Sequence, residues 1–166
     1  MPPKFSPITG AQGFQQSNPC ILALASLLGS LQIFKDAGMM GAIRERSIQL
    51  TCTLERLLMT SKYFIPLNSV SQKYLGSSTD AVEAGFTIVT PDDPSHRGAQ
   101  LSLMFLPFGS GVMEKIFSAL CSYGVIGDER EPDVIRLAPV PLYNTLEDCE
   151  QAVFYLEKAF ESIQSK

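Results

Sequence analysis

Val134-Ile-Arg-Leu-Ala-Pro-Val-Pro-Leu142 is the stretch from which the fold is read. Its first four residues are aliphatic around a single arginine, and they predict a strand. Pro139 and Pro141 have no N–H to give a neighbour, so they keep this strand from continuing into a sheet centre. Downstream, Thr145 predicts the cap of a last helix, with Leu146, Cys149, Val153, Leu156, Phe160 and Ile163 on one face. Upstream, Val125-Ile126 predicts another brief strand. Before it, Gly109 to Tyr123 predicts a short helix stopped by Gly124. Phe86 to Thr90 and Ala99 to Leu106 predict two further strands around a polar loop, Pro91 to Gly98.

The N-terminal half reads differently. Met1 to Ser17 carries Pro2, Pro3, Pro7, Gly10 and Gly13 and predicts an extended or turning arm. Asn18-Pro19 predicts a helix start, with asparagine at the cap and proline at the first helical position. Ile21, Leu24, Leu28 and Leu31 then recur at helical spacing until Gly38. Gly41 to Lys62 predicts a second, amphipathic helix with Ile43, Ile48, Leu54, Leu57 and Leu58 apolar. Tyr63 to Ala84 predicts a surface connection, broken at Gly76, Ser77 and Ser78. This order gives an α+β fold: a small, mostly antiparallel sheet with helices packed on one face, preceded by an extended arm and a long helix. The expected division is an arm over 1–17 and a small domain over 18–166.

Composition narrows the function classes. Of the 166 residues, 45% are hydrophobic and 18% charged, which suits a packed core and not a disordered polypeptide. The net charge of −4 comes with no basic block, so nucleic acid is not an expected partner. The most apolar run, Cys20 to Phe34, is too short and too interrupted for a bilayer span, so no membrane is expected either. Cys20, Cys52, Cys121 and Cys149 are widely spaced without a CxxC, and they predict reduced, buried thiols in a cytoplasmic protein.

Arg136 carries the most information about chemistry. A guanidinium in so apolar a run needs an anion, because an unpaired buried charge is prohibitive. That anion is either a nearby acid (Asp133, Glu131 or Asp128) or the carboxylate of a ligand, which the planar fork matches bidentately. Ser17-Asn18-Pro19 is the second candidate: at a helix start it is either an ordinary cap or a pair of donors to an anion. His96, the single histidine, sits in a polar loop without a cysteine or second histidine, so it predicts exposure and no metal site. Arg97-Gly98 predicts an ordinary turn. Glu147, Asp148 and Glu150 complement the dipole of the last helix and stabilise it.

Taken together, several segments resemble kynureninase. They are Pro7-Ile-Thr-Gly-Ala-Gln-Gly-Phe-Gln-Gln-Ser-Asn-Pro19, Leu-Gln-Ile-Phe34, Ile43-Arg-Glu-Arg-Ser-Ile-Gln-Leu-Thr51, Ile88-Val-Thr-Pro91, Arg97-Gly-Ala-Gln-Leu-Ser102 and Arg130-Glu-Pro-Asp-Val-Ile-Arg-Leu-Ala-Pro-Val-Pro-Leu-Tyr-Asn144. The last is the most specific. The resemblance implies the C-terminal part of a fold-type I, aspartate-aminotransferase-like enzyme that uses pyridoxal 5'-phosphate and works as a cytoplasmic homodimer. It implies hydrolysis of a carbon–carbon bond in the side group of L-kynurenine or 3-hydroxykynurenine, giving an anthranilate and L-alanine. That reaction belongs to tryptophan degradation and de novo NAD biosynthesis. By resemblance, Arg136 binds the substrate α-carboxylate, and Asn18, with Ser17 beside it, contacts the phosphate side of the cofactor and lies near the substrate.

The same resemblance puts the cofactor-bearing lysine, the aspartate partner of the pyridinium nitrogen and the main phosphate ligands upstream of the Ser-Asn-Pro segment. Only seventeen residues precede Asn18 here. The chain is therefore expected to lack that lysine, to hold no catalytic residue of its own and to be inactive alone. A truncated product or an internal start would explain it. Lys73-Tyr-Leu75 imitates the lysine segment but comes after Asn18, which makes it a decoy. Two other readings are a fragment of a different pyridoxal-phosphate enzyme and a non-catalytic α+β module that binds a partner subunit.

Overall fold

The computed structural model describes residues 4, 6–15, 17–74 and 83–164. The chain divides into two compact units, Met1–Met40 and Gly41–Lys166. The first helix thus groups with the arm and not with the residues that follow it.

In the first unit the arm carries a short 3-10 turn, Ala11–Phe14, and then helix α1, Ile21–Asp36. Asn18 is not its cap, contrary to the sequence reading. Pro19 disfavours helical backbone at the residue before it, and Cys20, at φ −67° and ψ 113°, is still extended. Cys20 is the N-cap, and its thiol makes no capping hydrogen bond. None of the residues of α1 is buried, although Ile21, Leu22, Leu24, Leu27, Leu28 and Leu31 are all large and apolar. The helix ends as expected, with Gly38 at φ 88°. No single helix among the described residues is long and apolar enough to cross a membrane.

The second unit is built on helix α2, Met39–Thr60, whose first turn reaches back across the division. It buries Ile43, Ser47, Leu50, Thr51, Leu54 and Leu58 along one stripe. A short helix α3, Leu67–Tyr74, follows within the stretch expected to be a surface connection. Gly76, Ser77 and Ser78 lie outside the described residues. Strands β1 (Gly85–Ile88), β2 (Leu101–Leu106), β3 (Asp128–Arg130) and β4 (Val134–Leu137) form one sheet in the order β1-β2-β4-β3, antiparallel throughout. Helices α4 (Val112–Ser122) and α5 (Leu146–Gln164) complete the unit.

One strand expectation is corrected. Val125-Ile126 is not a strand, because its backbone closes α4. Gly124, at φ 83°, donates to Cys121 O and Val125 donates to Leu120 O, the two bonds of a Schellman motif. The strand lies three residues later, at Asp-Glu-Arg, a charged sequence suited to a sheet edge. The prolines do end β4 after Leu137, yet β4 itself is an inner strand, flanked by β2 and β3.

Register sorts the residues onto two faces. Phe86 opposite Phe105, Leu103 between Ile88 and Ile135, and Leu101 opposite Leu137 point into the core. There they meet Leu50, Leu54 and Leu58 of α2, Met113, Ile116 and Leu120 of α4, and Cys149, Leu156 and Phe160 of α5. The Phe160 ring stacks on Tyr63 at 4.3 Å and on Phe86 and Phe105 at 6.0 Å, so one residue of α5 ties together the end of α2 and two strands. On the opposite face one corner is covered by α3. There Leu106 joins Ile65, Val70 and Tyr74 around α3. Gly85 permits this, because a β-carbon there would sit 2.8 Å from Ile65 Cδ1 and 2.9 Å from Tyr63 O.

Polar ties fix the loops. Arg97, whose side chain is 2% exposed, forks onto Glu55 of α2 at 2.5 and 2.6 Å and also reaches Pro91 O. This is a cross-link, not the ordinary turn that Arg97-Gly98 suggested. Arg44 of α2 donates to the carbonyls of Pro94 and Arg97 in the same loop, and Arg46 donates to Asn144 O. His96 in that loop is exposed, as expected. Of the cysteines only Cys149 is buried, so the expectation of buried thiols holds for one of the four; all four are free. Burial pushes the Cys149 thiol pKa up, which keeps it protonated and inert.

Thr145 caps α5 reciprocally, as the sequence indicates. Asp148 N donates to Thr145 Oγ1 at 3.1 Å, and Thr145 N donates to Asp148 Oδ2 at 2.7 Å. The Thr145 N–H, helped by the Asn144 amide, holds the Asp148 carboxyl below its ordinary 3.8. A depressed carboxyl stabilises the fold above its unfolded value and loses that effect as pH falls through its folded value. Asp148→Asn should therefore lower the melting temperature at neutral pH, with the difference from wild type shrinking to nothing as pH drops below about 4. A difference that stays constant from neutral to acid pH would contradict this. Glu55→Ala strands a buried guanidinium and should cost about 3–5 kcal/mol in urea unfolding. A loss under about 1 kcal/mol would place the pair among ordinary surface bridges.

Candidate functional site

The sheet face away from α2, α4 and α5 carries two cross-strand rows. One runs Thr87, Met104, Val134, Arg130 and the other Ser102, Arg136, Asp128. Alternation puts Arg136 there because its neighbours Ile135 and Leu137 are the core residues of β4. Its side chain remains 30% exposed. Of the three acids that the sequence offered as partners, Asp128 takes the role. Arg136 Nε donates to Asp128 Oδ2 at 2.6 Å, and Arg136 Nη2 donates to the same oxygen. Asp133 is engaged elsewhere, accepting from Gly109 N with both oxygens at 3.1 Å.

The arginine is paired but not saturated. A guanidinium has five N–H groups, and Asp128 takes one from Nε and one from Nη2. These lie on one edge of the plane. The Nη1–Nη2 edge has no hydrogen bond among the described residues, and it is the edge that meets a carboxylate end-on. Asp128 thus takes the role of the nearby acid, and it leaves the Nη1–Nη2 edge without a hydrogen bond among the described residues. Ser102, its partner on β2, receives Gln100 Nε2 on its hydroxyl at 3.2 Å and is too short to cover the guanidinium. Thr87 Oγ1, on the same face, is buried and has no hydrogen-bond partner among the described residues.

Ser17 and Asn18 belong to the first unit, Arg136 to the second. Both arm residues are exposed and line a shallow open concavity of about 520 Å³ with Ala11, Gln12, Phe14, Gln15 and Pro19. Amide and hydroxyl donors are present there. No lysine, no arginine and no carboxylate among the described residues lines it. These residues therefore do not fit pyridoxal phosphate as a complete site: they offer neither an amine to hold it, nor a cation for its phosphate, nor an acid for its ring nitrogen. Lys73 lies on α3 with its ammonium 5.7 Å from the centre of the Tyr74 ring. A second pocket of about 250 Å³ lies between the C-terminus of α4 and the start of α5, beside Leu137 to Pro139. Its polar groups Asn144 and Asp148 are used by the α5 cap.

Fold and face together define a small α+β domain whose sheet carries Arg136, paired to Asp128, on the face away from α2, α4 and α5. Residues 43–156 match the kynureninase C-terminal domain. The chain is 47% identical over 150 residues to the kynureninase of Yarrowia lipolytica, with 90% of this chain and 33% of that protein covered. It is 41% identical over 167 residues to that of Candida albicans, with 98% and 34% covered. It is 47% identical over 152 residues to kynureninase 1 of Chaetomium globosum, with 90% and 26% covered. The chain belongs to the kynureninase family and corresponds to its C-terminal portion, spanning about a third of the length of these curated relatives.

Thr87→Val removes a buried hydroxyl that has no hydrogen-bond partner among the described residues, and should be neutral or stabilising by up to about 1 kcal/mol in this protein. A loss greater than about 1 kcal/mol in thermal unfolding would show that the hydroxyl is satisfied.

Proposed function

We propose that this chain supplies the carboxylate-binding part of a kynureninase site. The complete enzyme hydrolyses L-kynurenine or 3-hydroxykynurenine to an anthranilate and L-alanine, in tryptophan degradation and NAD biosynthesis. The carrying observation is the Nη1–Nη2 edge of Arg136, which has no hydrogen bond among the described residues. That edge grips the α-carboxylate of the substrate with two parallel hydrogen bonds and fixes the amino acid in one orientation. Asn18 and Ser17 donate to the phosphate side of the cofactor from the arm. Pyridoxal phosphate supplies the electron sink for the reaction, and its lysine comes from residues outside this chain. Cytoplasmic location and homodimeric assembly are part of the same proposal.

A non-catalytic module that docks on a partner subunit is the second reading. It is favoured by the wholly unburied apolar helix α1.

The test uses the chain itself. With pyridoxal phosphate and L-kynurenine it should yield no anthranilate fluorescence and no borohydride-reducible link to a lysine. L-kynurenine should bind weakly, and Arg136→Gln should reduce that binding by about tenfold or more. Turnover by the isolated chain, or binding indifferent to Arg136→Gln, would contradict the proposal.

A further inference from the structure

We infer that Asp128 is a positioning residue for Arg136: it holds the guanidinium by its Nε–Nη2 edge so that the Nη1–Nη2 edge is presented to a carboxylate. This rests on the reading of Arg136 given above and extends it to a second residue.

The geometry favours a holder over a chance surface pair. Asp128 and Arg136 are direct cross-strand partners on β3 and β4, so the backbone register sets their separation. Both donors converge on one oxygen, Oδ2, which also forms an ion pair with Arg130 Nη2 at 3.0 Å. Asp128 thus sits between two arginines, and the trio keeps a net charge of about +1 by formal count, so an anion is still attracted. Strand β3 is Asp-Glu-Arg and buries none of its residues, so its sequence is not explained by core packing.

An arginine side chain free in solvent samples many rotamers, and gripping a ligand would then cost that freedom at each binding event. An acid on one edge removes most of it in advance. The same acid could act oppositely, as a competitor that occupies the guanidinium until substrate displaces it. The two roles predict opposite signs. A holder that engages the other edge helps binding. A competitor weakens it.

The experiment combines two readouts on the full chain, for wild type, Asp128→Asn, Asp128→Ala and Arg136→Gln. The first is solvent exchange of the Arg136 Nε–H, followed by NMR on protein with labelled arginine. It needs no ligand. Asparagine can still accept this bond, so exchange should stay slow in wild type and Asp128→Asn and become about tenfold faster in Asp128→Ala. The second is titration with L-kynurenine, with L-kynurenine amide as the carboxylate-free control. Asp128→Ala should weaken binding about tenfold, and Asp128→Asn should restore most of it. Equal exchange in wild type and Asp128→Ala overturns the proposal, whether or not binding is measurable. Tighter binding in both Asp128 variants makes the residue a competitor and overturns it as well. Binding unaffected by Arg136→Gln sinks the underlying carboxylate reading instead. Should Asp128→Ala unfold, Asp128→Asn decides: slow exchange with binding near wild type supports the holder, and fast exchange with binding unchanged or tighter contradicts it.

Discussion

The bond from Arg136 to Asp128 is the constraint on which the proposed carboxylate site turns. An arginine on an inner strand of a small sheet needs a negative partner, and the register of β3 against β4 places one directly opposite. The partner uses one edge of the guanidinium and leaves the other. A partly buried charge is thereby paired, with its second edge proposed as the pair of donors for a carboxylate.

The rest of the second unit reads as support for that strand. β4 is held on both sides, by β2 and by the charged edge strand β3, and its inward residues Ile135 and Leu137 are locked into the core. The loops at the ends of the strands are tied down by α2. Arg44 and the Arg97–Glu55 pair fix the β1–β2 connection, and Arg46 reaches the turn before α5. The rigidity of the site thus depends on ties made far from it in sequence.

Legibility in the sequence follows from where the signals are local. β4 is readable to the residue, because an apolar run ended by prolines has one simple meaning. The cap at Thr145 and the stop at Gly124 are equally plain. The edge strand Asp128–Arg130 is not, because a charged edge lacks both alternation and β-branched residues. Val125-Ile126 draws the strand away from it, since nothing local reveals that Val125 closes a helix. Asn18 misleads for a related reason: the Asn-Pro pair looks like a cap, but the cap falls two residues later, at an extended Cys20. Arg136 stands out at once by its apolar surroundings. Its partner is only one of three acids until the register is known. The Arg97–Glu55 tie joins residues 42 positions apart, beyond the reach of any local pattern.

The most direct measurement is a crystal structure of a complete kynureninase containing these residues, with L-kynurenine bound. The account predicts both carboxylate oxygens on Nη1 and Nη2 of Arg136, with the Asp128 carboxylate still on Nε. A carboxylate bound away from Arg136, or lying on the Nε edge with Asp128 displaced, would contradict it.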